Sequence, residues 1–220
     1  MLSTLHANPA ARPAEGPDRR RSVPMIAEAN TSSVRVARSL SDLMQVVAIR
    51  AAVYLSEQTC PYDEEFDGND LCAMHLIGSI DEEPAACIRI RFFADFAKLE
   101  RLAVRHEFRR TTLAFDMVRA GIRLSRVKGY TQIYGHAQDR LVPFWKRFGA
   151  HPKEPRRPLV FSDFSYTEML LETERHPEAL SLETDPYVLI RPEGEWDKPG
   201  PLEISAQRPV TSPVHKQQAA

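Results

Sequence analysis

Two arginines, Arg109 and Arg110, directly precede a segment whose apolar residues recur every three or four positions. Such a segment is expected to be a helix, and here a predicted strand and a short loop come before it. A helix that begins after a strand and a loop offers a phosphate free N–H donors and the positive end of its dipole. Residues 98–128 also carry nine Lys or Arg and three Asp or Glu in a chain of net charge −1. The sequence therefore predicts a phosphate site at this loop, while the arginines further along the helix equally fit a solvated face.

A second group of charged residues forms an acidic loop after the first predicted helix. The loop spans residues 63–70 and includes Asp67 and Asp70. Acidic loops bind cationic or amino substrates, or they are solvated turns, and the sequence leaves both interpretations open. The spacing differs from the D-x-[DN]-x-[DN]-G pattern of a calcium loop.

The cysteines favour neither a disulfide framework nor a metal site. Cys60, Cys72 and Cys87, taken with His75, provide a single C-x-x-H pair. A structural zinc site usually takes two close pairs of ligands. We therefore predict no bound metal.

Composition limits the class of protein. The chain has 220 residues and a mass of 25.0 kDa, of which 43% are hydrophobic, so one domain with a sizeable core is expected. The 29 Lys and Arg nearly balance the 30 Asp and Glu, which argues against a dedicated nucleic-acid binder. No apolar run approaches the ~20 residues of a membrane span. The N-terminal segment is also too polar for a signal peptide. We expect a soluble, cytoplasmic protein.

Proline placement predicts the domain boundaries. Four of the 17 prolines fall in residues 1–32 and six in residues 185–220. These two segments have few aliphatic residues, so we expect disordered tails at 1–32 and 185–220 and a folded domain at 33–184.

The elements that must position these residues follow from the hydrophobic period. Alternation predicts strands at 33–37, 74–80, 85–91, 97–104, 131–137 and 161–171. Helical spacing predicts a helix capped by Ser41 or Asp42, a second from Leu113 to Gly129, and a short one at 141–148. This order predicts an α/β or α+β domain with a mixed sheet and helices on both faces.

Several of these segments, taken in order, resemble the GNAT superfamily of acyl-CoA N-acyltransferases. Residues 99–104 and 108–114 are similar to that family's core motif, a strand ending in Leu-x-Val followed by [QR]-x-x-G-x-[GA] at a helix start. Residues 137–138 and 143–150 resemble its later F-Y-x-x-x-G-F pattern. Residues 54–76 resemble the VFVxEQ…PY…D…D…HL signature of one GNAT branch. The resemblance covers about residues 34–172 and implies the GNAT fold, with a central, mixed, mostly antiparallel sheet flanked by helices.

The resemblance also implies a reaction, in which an amine attacks the thioester carbonyl of an acyl-CoA, most simply acetyl-CoA. Backbone groups of Leu102, Ala103 and Val104 would then bind the pantetheine arm and polarise the carbonyl. The other residues expected to bind CoA are Arg109, Arg110, Thr111, Thr112, Leu113, Ala114 and Gln138. The expected partners are acyl-CoA and a small amine acceptor, with acyl carrier protein as an alternative donor. We expect binding to neither nucleic acid nor membrane.

Two residues are candidates for moving the proton of the amine. Glu100, on the strand that ends at Val104, is one, and an ion pair with Arg89 or Arg101 is its alternative role. His136 is the other, because it lies near the strand end that faces the thioester in relatives; a structural strand histidine is the alternative. The residues expected on the acceptor side are Glu57, Asp67, Asp70, His75 and Arg89.

The chain departs from the family pattern at two positions. Thr112 stands where the first loop glycine is usual, and Trp145 stands where a tyrosine often serves as general acid. An indole N–H does not act as an acid near neutral pH, although a thiolate leaving group needs an acid less than an alkoxide does. Two alternatives therefore stay open: an N-acyl-amino-acid synthase that takes a long acyl chain from acyl carrier protein, and a non-catalytic GNAT-fold binding module.

Overall fold

The computed structural model describes residues 31–211, so nearly all of the N-terminal segment expected to be disordered lies outside the described residues. The first half of the fold contains β1 (Ser32–Val36), α1 (Leu40–Arg50), a π-helix (Ala51–Glu57), α2 (Tyr62–Glu65), β2 (Met74–Ile80), β3 (Glu83–Phe92) and β4 (Ala97–Val104). The second half contains α3 (Leu113–Val127), β5 (Gln132–Gln138), α4 (Val142–Lys146), β6 (His151–Pro152), β7 (Leu159–Phe161), β8 (Phe164–Glu172), α5 (Pro186–Leu189) and α6 (Pro201–Ala206).

The strands form one sheet in the order β1-β2-β3-β4-β5-β8-β6, and β7 also pairs with β8. All neighbours are antiparallel except β4 and β5, which α3 connects as a parallel crossover. The predicted mixed, mostly antiparallel sheet with flanking helices is confirmed.

The sheet has an apolar core on each face because its strands alternate. Ile88 and Ile90 of β3 pack on Leu113 and Met117 of α3, and all four are fully buried. Cys87, on the opposite face of β3, belongs to a second cluster. The other buried members of that cluster are Val46, Ile49, Val53, Ile77 and Ala103. The helices on the two faces thus fix β3 and β4 from both sides.

The first helix differs from the prediction at both ends. Ser39, not Ser41 or Asp42, is the N-cap, because Asp42 then occupies the third helical position and completes a capping box with Ser39. The α-helix ends at Arg50 and the chain continues as the π-helix, where Tyr54 and Glu57 lie. Short π-helical segments often occur at functional sites.

Two tight turns define the strand ends more closely than the sequence did, although a hairpin turn at residues 81–84, between the predicted strands 74–80 and 85–91, was expected. Asp81 and Glu82 form the two-residue turn between β2 and β3, both at positive φ (49° and 67°). Ser162 and Asp163 have φ of 48° and 63° and divide the predicted strand 161–171 into β7 and β8. The sequence signals were weak because neither turn contains the glycine that such conformations favour.

From residue 185 onward, where the sequence predicts a disordered tail, the structure describes α5 and α6 and contacts with the domain. Trp196 packs against the core on the α3 side. Glu195 pairs with Arg38 at 2.5 Å, and Glu193 lies 3.2 Å from the Lys128 ammonium. The end of the domain at residue 184 stays a prediction that a shortened chain can test.

No helix within residues 31–211 combines the length and the hydropathy required to cross a membrane.

Candidate active site

The site is a cleft that opens where β4 and β5 separate. The two strands pair only at Ala97–Ile133 and Lys98–Tyr134, and beyond these pairs they diverge. After Lys98, the backbone groups of β4 on the side away from β3 therefore face the gap instead of a neighbouring strand. The gap widens into a cleft of about 750 Å³ lined by β4, β5, the π-helix, α4 and the β7–β8 hairpin. This is the place where the family resemblance leads us to expect the thioester.

A bulge in β4 shapes one wall of the cleft. Cys87 pairs with Ala103 but Arg89 pairs with Glu100, so β4 carries one extra residue between these pairs. Arg101, at the bulge, has a φ of 54°, which is uncommon for a residue with a Cβ. The Tyr54 hydroxyl donates to the Leu102 carbonyl oxygen at 2.7 Å. The π-helix thus holds the bulged backbone from across the cleft.

A buried ion network supports the bulge from below. Arg50 is fully buried and pairs with Glu65 at 2.5 Å and with Asp70. Arg89 is 1% exposed, and it donates to Asp67 at 2.6 Å and to Asp70 at 2.9 Å. Hydrogen bonding from Arg89 holds the pKa of Asp67 well below its usual range. Asp70 and Arg89 are therefore committed to holding the loop 63–70 on the sheet.

Arg101 connects the bulge to the same network. Its Nε lies 3.2 Å from Glu65 Oε2, and its guanidinium donates to the Glu64 carbonyl oxygen at 2.6 Å. His75 is buried beside this network, with Nε2 3.0 Å from the Asp70 carbonyl oxygen. Burial lowers the pKa of His75, which keeps its ring neutral near pH 7. These contacts give His75 a structural position outside the cleft.

Glu100 lies in the cleft wall on β4 and is held by two cations. Arg89 Nε donates to one of its carboxylate oxygens at 2.9 Å, and the Lys98 ammonium lies 2.7 Å from the other. The ion pair with Arg89, which the sequence left open as an alternative, is present. Both carboxylate oxygens of Glu100 are therefore engaged by cations within the protein.

His136 lies on the opposite wall, on β5, and is hydrogen-bonded through one nitrogen. Its Nε2 is 2.7 Å from the Tyr134 hydroxyl oxygen, and that hydroxyl donates to Glu168 Oε1 at 2.7 Å. Burial, together with the charge of Lys98, lowers the pKa of His136 and outweighs the opposite influence of Glu168 and Glu100. His136 is therefore neutral near pH 7 and able to accept a proton.

The loop before α3 carries the predicted phosphate site. The N–H groups of Arg110, Thr112 and Ala114 have no hydrogen-bond partner within residues 31–211. Thr112 is the N-cap residue, and its hydroxyl donates to Asp116 at 2.8 Å instead of pointing to open solvent. The loop thus retains free donors despite the missing glycine, and Asp116 places one negative charge close to them.

The two predicted phosphate arginines have different surroundings. Arg109 lines the cleft, donating from Nε to the Val104 carbonyl oxygen at 3.0 Å and from Nη2 to Glu57 at 2.5 Å. Arg110 is exposed. The Arg109–Glu57 pair joins the loop before α3 to the π-helix across the mouth of the cleft.

The end of β5 and α4 complete the wall. Gln138 is buried, accepts from Arg140 Nε at 2.9 Å and lies 3.3 Å from the Tyr166 hydroxyl. Trp145 lines the cleft at the position of the family's tyrosine. The site therefore has an indole there, and the titratable groups nearest to the gap are on β4 and β5.

The structure brings about half of the predicted residues together. Those lining the cleft are Glu57, Asp67, Glu100, Leu102, Val104, Arg109, Ala114, His136 and Gln138. The predicted residues that lie outside the cleft lining are Asp70, His75, Arg89, Ala103, Arg110, Thr111, Thr112 and Leu113. Within this second group, Arg110 and Thr112 can still use their free N–H groups, because they lie just before α3.

Sequence reasoning missed Lys98, Arg101 and Glu168 as site residues. Alternation along β8 could have indicated Glu168, since it pairs directly with His136 and shares its face. The bulge at Arg101 had no sequence signal because it lacks a glycine. In the part of the chain that the structure describes, no group of three or more His, Cys, Asp or Glu side chains could hold a metal ion.

Comparison with known proteins agrees with this geometry. Residues 43–150 match the acetyltransferase (GNAT) family. The chain is 26% identical over 114 residues to the uncharacterized N-acetyltransferase YjcF of Bacillus subtilis (strain 168), covering 52% of this chain and 81% of that protein. The fold is similar to that of Escherichia coli ElaA, with a TM-score of 0.57 and 22% identity over 64% of this chain and all of that one.

A GNAT family acetyltransferase from Elizabethkingia anophelis, whose structure contains acetyl-CoA, also shares the fold. It has a TM-score of 0.50 and 11% identity, covering 65% of this chain and 97% of that one. The family match covers the bulged strand, the loop before α3 and α4, and each of these segments contributes residues to the cleft lining. The chain belongs to the GNAT superfamily and is an N-acyltransferase.

Proposed function

We propose that this enzyme transfers an acyl group, most simply acetyl, from acyl-CoA to a primary amine of a small molecule. The observation that carries the proposal is the gap between β4 and β5, with the bulged backbone on one wall and a neutral His136 on the other. A thioester placed in this gap would meet unpaired backbone N–H groups on β4. A neutral imidazole on the opposite wall can take the proton of the attacking amine.

The donor side fits the pyrophosphate of CoA. Three free N–H groups lie at the start of α3, and Arg109 and Arg110 add two positive charges beside them. A phosphate would compete with Glu57 for the Arg109 guanidinium. Use of acyl-CoA also agrees with the cytoplasmic location that the sequence predicts.

The space behind the gap favours a short acyl group. An apolar cavity lined by Leu99, Gly135, Trp145, Phe148 and Met169, among others, adjoins His136 and has a volume of only about 20 Å³. This is close to the space that a single water or methyl group fills, so a long acyl chain would need a different path.

The chemical step balances with groups of this chain and its two substrates. The amine nitrogen bonds to the thioester carbon, and the C–S bond breaks with its electron pair leaving on sulfur. The amine proton moves to His136, and the imidazolium returns a proton to the thiolate, directly or through water. The products are an amide and free CoA thiol. Glu100, held by Arg89 and Lys98, would act on the proton through water.

Calorimetric titration of the purified chain with CoA, acetyl-CoA and a long-chain acyl-CoA tests the donor. We expect micromolar binding of CoA and acetyl-CoA. Release of CoA thiol with a panel of small primary amines then tests the transfer, and His136→Ala should lower kcat by roughly a hundredfold.

The other outcomes of the titration identify the alternatives. Binding of the long-chain thioester alone would favour a carrier-protein donor and contradict an acetyl donor. Absence of binding by all three would indicate a non-catalytic module. In that case, the double variant Thr112→Gly/Trp145→Tyr should gain CoA binding and activity if the two departures caused the loss.

A further inference from the structure

The hydrogen-bond chain His136–Tyr134–Glu168 assigns the proton of the imidazole. The Tyr134 hydroxyl carries one proton, and it lies 2.7 Å from both Glu168 Oε1 and His136 Nε2. A carboxylate only accepts, so the hydroxyl proton goes to Glu168. The hydroxyl oxygen then accepts, and among residues 31–211 the partner that can donate to it is His136 Nε2–H.

The strand register makes this chain of contacts rigid. His136 and Glu168 are directly paired across β5 and β8, and Tyr134 lies two residues from His136 on the same face. The His136 and Tyr134 rings are edge-to-face at 5.1 Å, and Phe96 packs edge-on against Tyr134 at 5.8 Å. Burial raises the pKa of Tyr134, and the hydrogen bond to Glu168 raises it further, so the phenol keeps its proton.

From this geometry we propose that Tyr134 and Glu168 hold His136 in its Nε2–H tautomer and leave Nδ1 as the atom that accepts the amine proton. Nδ1 has no hydrogen-bond partner within residues 31–211, and it is not among the fully buried polar atoms that lack one, so solvent reaches it; His136 itself lines the cleft. The role of Nδ1 as proton acceptor rests on the proposed function. The assignment of the tautomer does not, because it follows from the hydrogen bonds alone.

When Nδ1 takes the proton, the imidazolium still donates from Nε2 to Tyr134, and Glu168 balances its charge through the phenol. The charged groups around the ring are Lys98 and Glu100 on β4 and Glu168 on β8, and Arg157 acts on Tyr134 from the loop before β7. Tyr134, which hydrogen-bonds to His136, and Glu168, which acts on His136 through Tyr134, are therefore positioning residues.

Nitrogen NMR of the full chain labelled with ¹⁵N-histidine tests the tautomer without any substrate. The His136 signals are assigned by their loss in His136→Asn. We expect the wild-type ring near pH 7.5 to show a protonated Nε2 and an unprotonated Nδ1. Tyr134→Phe removes the acceptor and should give a mixture of both tautomers, and Glu168→Gln should lower the pKa of His136. Glu172→Gln is the control, because it makes the same charge change on β8 at a residue without a hydrogen bond to Tyr134. It should alter neither the tautomer nor the pKa of His136.

Kinetics provides the second readout once an acceptor is known. Tyr134→Phe and Glu168→Gln should lower kcat roughly tenfold or more with little change in KM, and Glu168→Gln should move the acidic limb of the kcat profile to lower pH. A wild-type Nδ1–H tautomer, or a Tyr134→Phe ring that keeps only Nε2–H, overturns the proposal. A chain that acylates no amine overturns the proposed function, and the NMR result then still decides the tautomer.

Discussion

At the scale of single residues, Arg109 has a specific competitor for the phosphate. Its guanidinium is held by the Glu57 carboxylate at 2.5 Å and by the Val104 carbonyl oxygen at 3.0 Å. Binding of a pyrophosphate would exchange one anion for a more highly charged one. When a pyrophosphate binds, the Arg109 guanidinium would thus exchange the Glu57 carboxylate for a more highly charged partner and keep its contact with the Val104 carbonyl oxygen.

We expect Arg109→Ala to raise the Kd of CoA several-fold, measured by calorimetry. Arg123→Ala removes the same charge from the other side of α3, where Arg123 lines a separate groove, and should leave the Kd unchanged. Equal Kd values for wild type and Arg109→Ala would contradict the phosphate assignment.

The residues also show how far the sequence could predict the site. The resemblance to the GNAT motifs was enough to expect Arg109, Glu100 and His136 at one site, and all three line the cleft. The ion pair of Glu100 with Arg89 was among the expected alternatives, but the partners of Arg109 and His136 were not predicted. Glu168 lies opposite His136 only through the β5–β8 register, which joins residues far apart in the sequence.

At the scale of elements, the start of α1 depends on a carboxylate. Asp42 accepts from the Arg38 and Ser39 N–H groups at 2.9 and 3.1 Å and pairs with Arg35 at 2.7 Å. Burial raises the pKa of Asp42, but these hydrogen bonds outweigh burial and lower it to about 2. Because the folded value lies below the ordinary 3.8, the stabilisation is complete above pH 3.8 and is lost as the pH falls through about 2.

Asp42→Ala should therefore lower the free energy of unfolding by about 1 kcal/mol at pH 7. Urea denaturation at pH 7 and at decreasing acidic pH measures this, and the difference from wild type should shrink as the pH approaches 2. Ser41→Ala, an exposed neighbour, is the control and should have little effect. A constant difference across this pH range would contradict the role of the charge.

A second element-scale prediction concerns the point where β4 and β5 begin to diverge. A Cβ on Gly135 would lie 2.9 Å from the Leu99 carbonyl oxygen, which is backbone and cannot turn away. Gly135→Ala should push the strands apart and lower the free energy of unfolding by about 1–3 kcal/mol.

Gly121→Ala is the matched control for that change. Its Cβ would lie 3.0 Å from the Leu99 Cδ2 atom, the flexible end of a side chain, and alanine also favours the helix. Chemical denaturation should show the smaller loss for Gly121→Ala, and the reverse order would contradict the close approach of Gly135 to β4.

At the scale of the whole molecule, the segment after residue 184 contributes to the domain. Trp196 packs on the core and lies 5.5 Å from the Lys128 ammonium, and Arg191 pairs with Glu203 at 2.8 Å. The proline count weighs composition alone and does not register such a contact, so the disordered tail from residue 185 stays a prediction. The strands, in contrast, were predicted from alternating periods spread over many residues, and their mostly antiparallel arrangement from the family resemblance.

Shortening the chain tests this boundary. A chain ending at residue 184 should have a Tm roughly 5 °C or more below that of the full chain, because the apolar surface under Trp196 becomes exposed. A chain ending at residue 206 keeps these contacts and serves as the control. Equal Tm values for all three would support the predicted end of the domain at 184.

The brief pairing of β4 with β5 also determines where the folded sheet opens most easily. The strands β1–β4 and β5–β8 form two antiparallel groups, and within residues 31–211 the two pairs Ala97–Ile133 and Lys98–Tyr134 are all that joins them. In contrast, β3 pairs along most of its length with a neighbour on each side. Local opening should therefore begin where β4 meets β5, and amide protons there should exchange with solvent sooner than those within β3.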